Sequence, residues 1–222
     1  STLNKKGMNM SISVKKGQGV SLKKNEYDLS SVTIGLGWDI NEEKRGFLGG
    51  LFGKKSEEYD LDVIAFLCGE NGKVNDLGQI EGGQPSLVNG DIIFFNSLQH
   101  KSGQIWLTGD NRTGAGDGDD EQIIVKLNTL DPKFTKIVFI VQIYNGRELQ
   151  QHFGKVQNAF IRAVDAKNIE MARFDLSGGE AFNNQRSMLF AELVREDNGW
   201  KLNAIGEPSS SDSFISYLKD FA

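Results

Sequence analysis

Lys136-Ile137-Val138-Phe139-Ile140-Val141-Gln142-Ile143-Tyr144 is apolar at almost every position. A strand with one wet face alternates apolar and polar residues, because successive side chains point to opposite faces. This run does not alternate, so it reads as a strand covered on both faces. Just upstream, Ile123-Ile124-Val125-Lys126-Leu127 keeps apolar residues at its odd positions and points Lys126 away. Further short runs rich in β-branched and aromatic residues lie at Met10–Val14, Val32–Ile34, Leu61–Cys68, Asp91–Phe95 and Gln104–Leu107. Others follow at Gln122–Leu127, Ala159–Val164, Glu170–Leu176, Ser187–Arg195 and Trp200–Ile205, with Gly, Asn and Asp between them. Roughly ten strands at short spacing, without helices alternating between them, predict an all-β sandwich rather than a parallel α/β sheet.

Two segments have a different period. Ser213–Ala222 sets Phe214, Tyr217, Leu218 and Phe221 at i, i+3, i+4 and i+7 behind Ser and Asp caps. It predicts a C-terminal helix over 213–222 docked on the sandwich. Arg147–Gln157 reads as a short helix or a loop. No linker divides the 222 residues, so 1–222 is expected to form one domain. Within it, Lys44-Arg45-Gly46-Phe47-Leu48-Gly49-Gly50-Leu51-Phe52-Gly53-Lys54-Lys55 places four large apolar residues among glycines, between basic pairs. Glycines deny it a stable strand or helix, so 44–58 is expected to be a mobile insertion loop. Exposed apolar groups with basic flanks would suit a protein partner or a membrane surface.

Composition narrows the function. The net charge of −5 argues against nucleic acid as a partner, which calls for a basic face. No apolar run approaches the ~20 residues of a membrane span. The start Ser1-Thr2-Leu3-Asn4-Lys5-Lys6 lacks the apolar stretch of a signal peptide. The single cysteine, Cys68, ends the run Val63-Ile64-Ala65-Phe66-Leu67-Cys68 and reads as a buried thiol. One cysteine makes no internal disulfide or dithiol pair, and a cytoplasmic location fits.

The strongest chemical signal is Gly109-Asp110-Asn111-Arg112-Thr113-Gly114-Ala115-Gly116-Asp117-Gly118-Asp119-Asp120-Glu121. Asp110, Asp117, Asp119, Asp120 and Glu121 against Arg112 give it a local charge of −4, nearly all the net charge of the chain. Two carboxylates ~5 Å apart repel by roughly 1–3 kcal/mol, and a hard cation removes that repulsion. Carboxylates, the Asn111 amide and carbonyls turned inward at the glycines supply an oxygen-only donor set, which favours Ca²⁺ over Zn²⁺ or Cu²⁺. A flexible, carboxylate-rich cage suits Ca²⁺ better than Mg²⁺. The EF-hand spacing is absent and the flanks read as strands. Asp60 and Asp62 share one face of a strand, and Asp39 ends the glycine turn Gly35-Leu36-Gly37-Trp38-Asp39, so these acids are further candidates.

An enzyme is the alternative. The acidic cluster could hold a catalytic metal for phosphoester hydrolysis or nucleotide processing, with Arg112 or Arg162 stabilising the leaving group. An arginine near acids is more often their charge partner. His100 and His152, the only histidines, lie in polar, surface-like contexts, and neither Gly-x-Ser-x-Gly nor a phosphate loop is present. Tellurite chemistry on a buried Cys68 is not expected. A non-enzymatic role is therefore preferred.

Seven stretches together resemble the TerD family of tellurium-resistance and stress-response proteins. They are Val20-Ser21-Leu22, Gly35-Leu36-Gly37-Trp38-Asp39, Asp60-Leu61-Asp62, Thr108–Gly114, Gly116-Asp117-Gly118-Asp119-Asp120-Glu121, Phe153–Arg162 and Trp200-Lys201. The insertion Phe47–Gly53 looks like that of the TerZ-type branch. The resemblance implies a Ca²⁺-binding β-sandwich acting as a scaffold or sensor in a bacterial stress response. It implies metal ligands at Asp39, Asp60 and Asp62 beside Gly109–Glu121, gathered at one end of the sandwich. It also implies work with other Ter proteins in complexes peripheral to the inner membrane. Gly179-Glu180-Ala181-Phe182-Asn183-Asn184-Gln185-Arg186 departs from the family pattern before the late strand.

Overall fold

The computed structural model describes residues 11–40, 59–108, 118–176 and 179–222. The insertion 44–58 and most of the acidic segment, 109–117, lie outside them. The described strands begin with β1 (Ile12–Val14), β2 (Gly19–Lys23), β3 (Val32–Ile40), β4 (Leu61–Cys68), β5 (Ile80–Glu81), β6 (Gln84–Pro85) and β7 (Ile92–Ile93). They continue with β8 (Ile105–Thr108), β9 (Glu121–Val125), β10 (Lys136–Ile143), β11 (Val156–Val164), β12 (Glu170–Leu176), β13 (Ser187–Glu196) and β14 (Gly199–Ser209). A 3-10 turn over Phe214–Tyr217 runs into the short helix α1 (Leu218–Phe221).

The strands build two six-stranded sheets that pack as a sandwich. The first has the order β1-β12-β11-β3-β9-β8, the second β2-β14-β13-β10-β4-β7, and β5-β6 form a small hairpin apart. Pairing within the sheets is antiparallel, except that β1 runs parallel to β12.

β10 shows why the run that begins the sequence reading does not alternate. It lies inside the second sheet, between β13 and β4. Ile137, Phe139, Val141 and Ile143 enter the core between the sheets. Val138 and Ile140 point the other way, into a second apolar cluster with Ile64, Phe66 and Cys68 of β4 and with Phe214. The C-terminal segment covers that outer face, with Tyr217, Leu218 and Phe221 packed against the cluster. The expected helix over 213–222 is thus a docked cap, shorter and tighter at its start than an α-helix. The Ser213 hydroxyl accepts the Ile215 N–H at 3.2 Å and opens the turn. β9 keeps its period of two, with Glu121, Ile123 and Val125 buried and Gln122 and Ile124 half-buried.

Arg147–Gln157, expected as a short helix or a loop, holds turns and a 3-10 turn at Phe153–Lys155, and only its last two residues belong to β11. One reading needs correction. β3 extends past Ile34 to Ile40, through Gly35 and Gly37, although glycine weakens a strand interior.

Candidate metal centre

Those two glycines are the way into the site, because each faces a close neighbour. A Cβ on Gly35 would lie 2.2 Å from Asp119 Oδ2, and one on Gly37 2.4 Å from the Phe160 ring and 2.6 Å from the Gly118 carbonyl. β3 pairs with β9 through Gly35↔Gln122 and Leu36↔Glu121, so the acids at the start of β9 fold onto bare backbone. Gly118, at φ +87°, turns the chain into them, a conformation an L side chain resists.

The three consecutive acids take three different jobs. Asp119 lies on the outer face of the first sheet, beside Arg162, the cross-strand partner of Gly35. Arg162 Nε donates to Asp119 Oδ1 at 2.8 Å and Nη2 to Oδ2 at 3.0 Å. Gln122 Nε2 donates to the same Oδ2 at 3.0 Å. Two-point pairs of this kind are the strong charge-assisted bonds, and the carboxylate beside it pushes the Arg162 guanidinium above its usual value. Asp120 extends the strand pairing: its N–H donates to the Leu36 carbonyl at 2.7 Å, and its Oδ2 accepts the Trp38 N–H at 3.0 Å. Glu121 is buried and crosses between the sheets, with Oε2 accepting the Val63 N–H of β4 at 2.8 Å. β7 pairs only with Ala65 and Phe66, so this carboxylate supplies Val63 with the acceptor a neighbouring strand would otherwise give.

The remaining candidates sit around the same end. Glu121 brings β9 beside Asp62, whose Oδ2 accepts Gln142 Nε2 at 3.2 Å; Gln142 Oε1 in turn accepts the Phe214 N–H at 2.8 Å. Asp60 is exposed, and its carbonyl accepts the Tyr144 N–H at 2.8 Å. Asp39 is exposed at the end of β3, next to the Trp38 N–H that Asp120 holds, and its Oδ2 accepts Asn158 Nδ2 at 3.0 Å. Asp39 near the end of β3, Asp60 and Asp62 at the start of β4, and Asp120 and Glu121 at the start of β9 thus lie toward one end of the sandwich but on different faces, Asp39 beside Asn158 of the first sheet and Asp62 beside Gln142, which accepts the Phe214 N–H of the cap on the second. Asp119 stands beside them on the outer face, in the grip of Arg162. Asp110, Asn111 and Asp117 lie outside the described residues. Among the described residues, no three His, Cys, Asp or Glu converge closely enough to hold an ion by themselves. The candidate donors are all oxygens, the chemistry that suits a hard divalent cation, and Asp120 and Glu121 stand where the chain enters β9.

Other polar groups are occupied in ways that spacing alone did not reveal. His100 is not a surface residue: it is 4 % exposed, with Nε2 2.8 Å from Asp91 Oδ1. Its Nδ1 accepts the Ser102 N–H at 3.1 Å. His152 accepts the Gly154 N–H and caps the 3-10 turn before β11. A cleft of about 330 Å³ opens near the other end of β3, lined in part by Lys24, Tyr27 and Lys167. The buried Asp165 in it is spent on the Asp28, Lys167 and Ile169 N–H groups.

Cys68 is fully buried, and burial pushes its thiol up to about 11. At pH 8 the reactive thiolate is scarce. A thiol reagent added to native protein at that pH is expected to leave Cys68 unmodified, and the same reagent in denaturant to label it completely. Rapid native labelling would contradict the packing of the second cluster.

The comparisons with known proteins agree with this architecture. The family model of the TerD domain matches residues 10–221. Tellurium resistance protein TerX of Serratia marcescens is 81% identical over 212 residues, 96% of this chain and 100% of that protein. Tellurium resistance protein TerD of the same organism is 39% identical, over 89% of this chain and 91% of its own length. A crystal structure described as a homologue of telluride resistance protein (TerD), SCO6318 from Streptomyces coelicolor A3(2), has the same fold. Its TM-score is 0.53 at 20% identity, covering 85% of this chain and 95% of that one. With a family model spanning nearly its whole length and full-length relatives at these identities, the chain belongs to the TerD family of tellurium-resistance and stress-response proteins.

Proposed function

We propose that this chain is a Ca²⁺-binding, non-enzymatic module of the tellurium-resistance and stress response, a scaffold or sensor whose acidic end is ordered by the ion. The observation that supports this reading is the acidic segment itself, with Asp120 and Glu121 fixed where it rejoins the sandwich, toward the end that also carries Asp39, Asp60 and Asp62. These residues, with Asp110, Asn111 and Asp117, would hold the ion. The ion would supply positive charge and a high coordination number to a set of repelling oxygens. What the chain supplies is position. Glu121 ties the two sheets together at this end, and Asp120 locks the last turn of the segment onto β3.

Such a module would act by presenting an ordered surface to other Ter proteins, in a complex peripheral to the inner membrane. Among the described residues no helix is long and apolar enough to cross one. Tellurite resistance is then indirect, since Cys68 is buried away from any oxyanion.

Thermal melts with Ca²⁺ and with chelator test the reading. Binding to the native state alone adds about 2.7 kcal/mol at a hundredfold excess over Kd. For a protein of this size that raises Tm by roughly 5–10 °C. Asp39→Asn combined with Asp120→Asn is expected to shrink the shift strongly. Superimposable wild-type curves, with no heat in a Ca²⁺ titration, would remove the proposal.

A further inference from the structure

β2 ends the second sheet: it pairs with β14 on one side and, among the described residues, with no strand on the other. Its open backbone groups can be assigned. The Ala204 N–H donates to the Gln18 carbonyl at 2.9 Å and the Lys24 N–H to the Asn198 carbonyl at 3.0 Å. These bonds bracket the pairs Val20↔Leu202 and Leu22↔Trp200. Hydrogen-bonded residues alternate along an antiparallel pair, so Gly19, Ser21 and Lys23 turn their backbone groups away from β14. The Lys23 carbonyl is taken by the Glu26 and Tyr27 N–H groups, at 3.0 Å each. Among the described residues, the N–H groups of Gly19, Ser21 and Lys23 and the carbonyls of Gly19 and Ser21 remain as an open row that a further strand can bond.

The charge around this edge is opposite in sign to that of the chain. Lys15 and Lys16 stand exposed in the turn before β2, and Lys23 and Lys24 at its end. Lys201, opposite Ser21 on β14, lies across Gly19, where an added Cβ would meet its Cε at 2.6 Å. Of the carboxylates nearby, Glu26 lies 4.0 Å from Lys23, and Glu196 accepts the Ser21 hydroxyl at 2.9 Å. Five lysines against these two glutamates make a positive edge on a chain whose net charge is −5. Lysine on an edge strand keeps two copies of that edge apart. The same charge favours a strand of opposite sign, because specificity is a difference between the wanted and the unwanted pair. We infer, independently of the calcium reading, that β2 is a docking edge for an extended acidic segment of another protein, added beside it as a seventh strand of the second sheet. A lipid headgroup or a nucleic acid has no row of N–H and C=O groups to match this one, so the occupant is a polypeptide. Side chains alternate along a strand. The docked segment would therefore carry acids at every second residue, level with Lys23 and Lys201 on the outer face, and apolar residues between them, beside the half-buried Val20.

Fluorescence anisotropy with the full chain and a short labelled peptide alternating glutamate and valine tests this, with a peptide alternating lysine and valine as control. The acidic peptide is expected to bind, less tightly as salt rises, and the basic one not to bind. Lys15→Gln, Lys16→Gln, Lys23→Gln and Lys24→Gln combined should weaken binding about tenfold or more at low salt. Ser21→Pro removes an N–H that faces away from β14, so it should spare the fold and lose the peptide. If Ser21→Pro melts well below wild type, two methylated peptides carry the test, one N-methylated at every valine and one at every glutamate. Only alternate N–H groups of the peptide face β2, so one of the two should lose binding and the other keep it. No binding of the acidic peptide, equal binding of both methylated forms, or wild-type affinity in the quadruple variant overturns the inference. Anionic phosphatidylserine vesicles captured through these lysines, with no peptide bound, would overturn it in favour of a membrane contact. Self-association of the quadruple variant without peptide binding would overturn it too, leaving the lysines as a guard on the edge.

Discussion

Gly35→Ala is expected to cost about 3–5 kcal/mol, although it adds one methyl group in an extended strand. The new Cβ would stand 2.2 Å from Asp119 Oδ2 and 2.4 Å from its Cγ, closer than real atoms approach. An exposed carboxylate would swing aside at little cost. This one is held at 2.8 and 3.0 Å by Arg162 and has nowhere to retreat. Accommodating the methyl means breaking a buried ion pair, which typically costs about 3–5 kcal/mol because the remaining charge is left in a poorly solvated place. In calorimetry this corresponds to a fall in Tm of roughly 6–20 °C. The cause is checked by a cycle with Asp119→Ala: once the carboxylate is gone, the alanine at position 35 should add little. A Gly35→Ala protein within about 1 kcal/mol of wild type would mean that the pair yields easily and does not anchor the acidic end.

Phe214→Ala carries an effect of similar size for a different reason. Phe214 is 2 % exposed, and its ring lies 6.2 Å from that of Phe66 and 5.3 Å from that of Phe94. Truncating a buried phenylalanine costs about 3–5 kcal/mol, part in lost transfer energy and part in the cavity left behind. The cap would also lose its grip on the outer faces of β4 and β10, which carry Ile64, Phe66, Val138 and Ile140. Denaturant unfolding is expected to give a lower midpoint, and Cys68, in the same cluster, to become reactive in the native state. Loss of stability with Cys68 still silent would mean that the cavity collapses without lifting the cap.

How much of this was legible in the sequence depended on whether the signal was local. β4 and β12 carry their bounds openly, because Leu61–Cys68 is nearly all apolar and Glu170–Leu176 sets Met171, Ala172 and Phe174 among polar residues. β10 announced a cover on both faces, and Ser213–Ala222 announced the cover itself. β2 escaped, since Gly19-Val20-Ser21-Leu22-Lys23 has few apolar residues and becomes a strand by pairing with β14 far along the chain. β3 was cut short at Ile34 because Gly35 and Gly37 read as a turn, and only contact with Asp119 and Phe160 explains glycine there. At the site, the charge density of Asp110–Glu121 is plain in one dimension. The division of labour within Asp119-Asp120-Glu121 is not, because it depends on Arg162, Leu36, Trp38 and Val63 arriving from other strands. His100 was misjudged for the same reason: its partner Asp91 is near in sequence, but its burial is set by packing that includes the Phe134 ring.

The wiring of the two sheets has a kinetic consequence. Val20 of β2 pairs with Leu202, and Ile12 of β1 with Ala172, so both early strands must wait for partners from the last quarter of the chain. Closing loops of that length is entropically slow, and all-β domains built on distant pairings fold in milliseconds to seconds rather than microseconds. During that interval the edges of β14 and β12 that β2 and β1 will occupy are open to other chains. Dilution and low temperature during refolding should therefore matter more for recovery of this protein than its final stability would suggest.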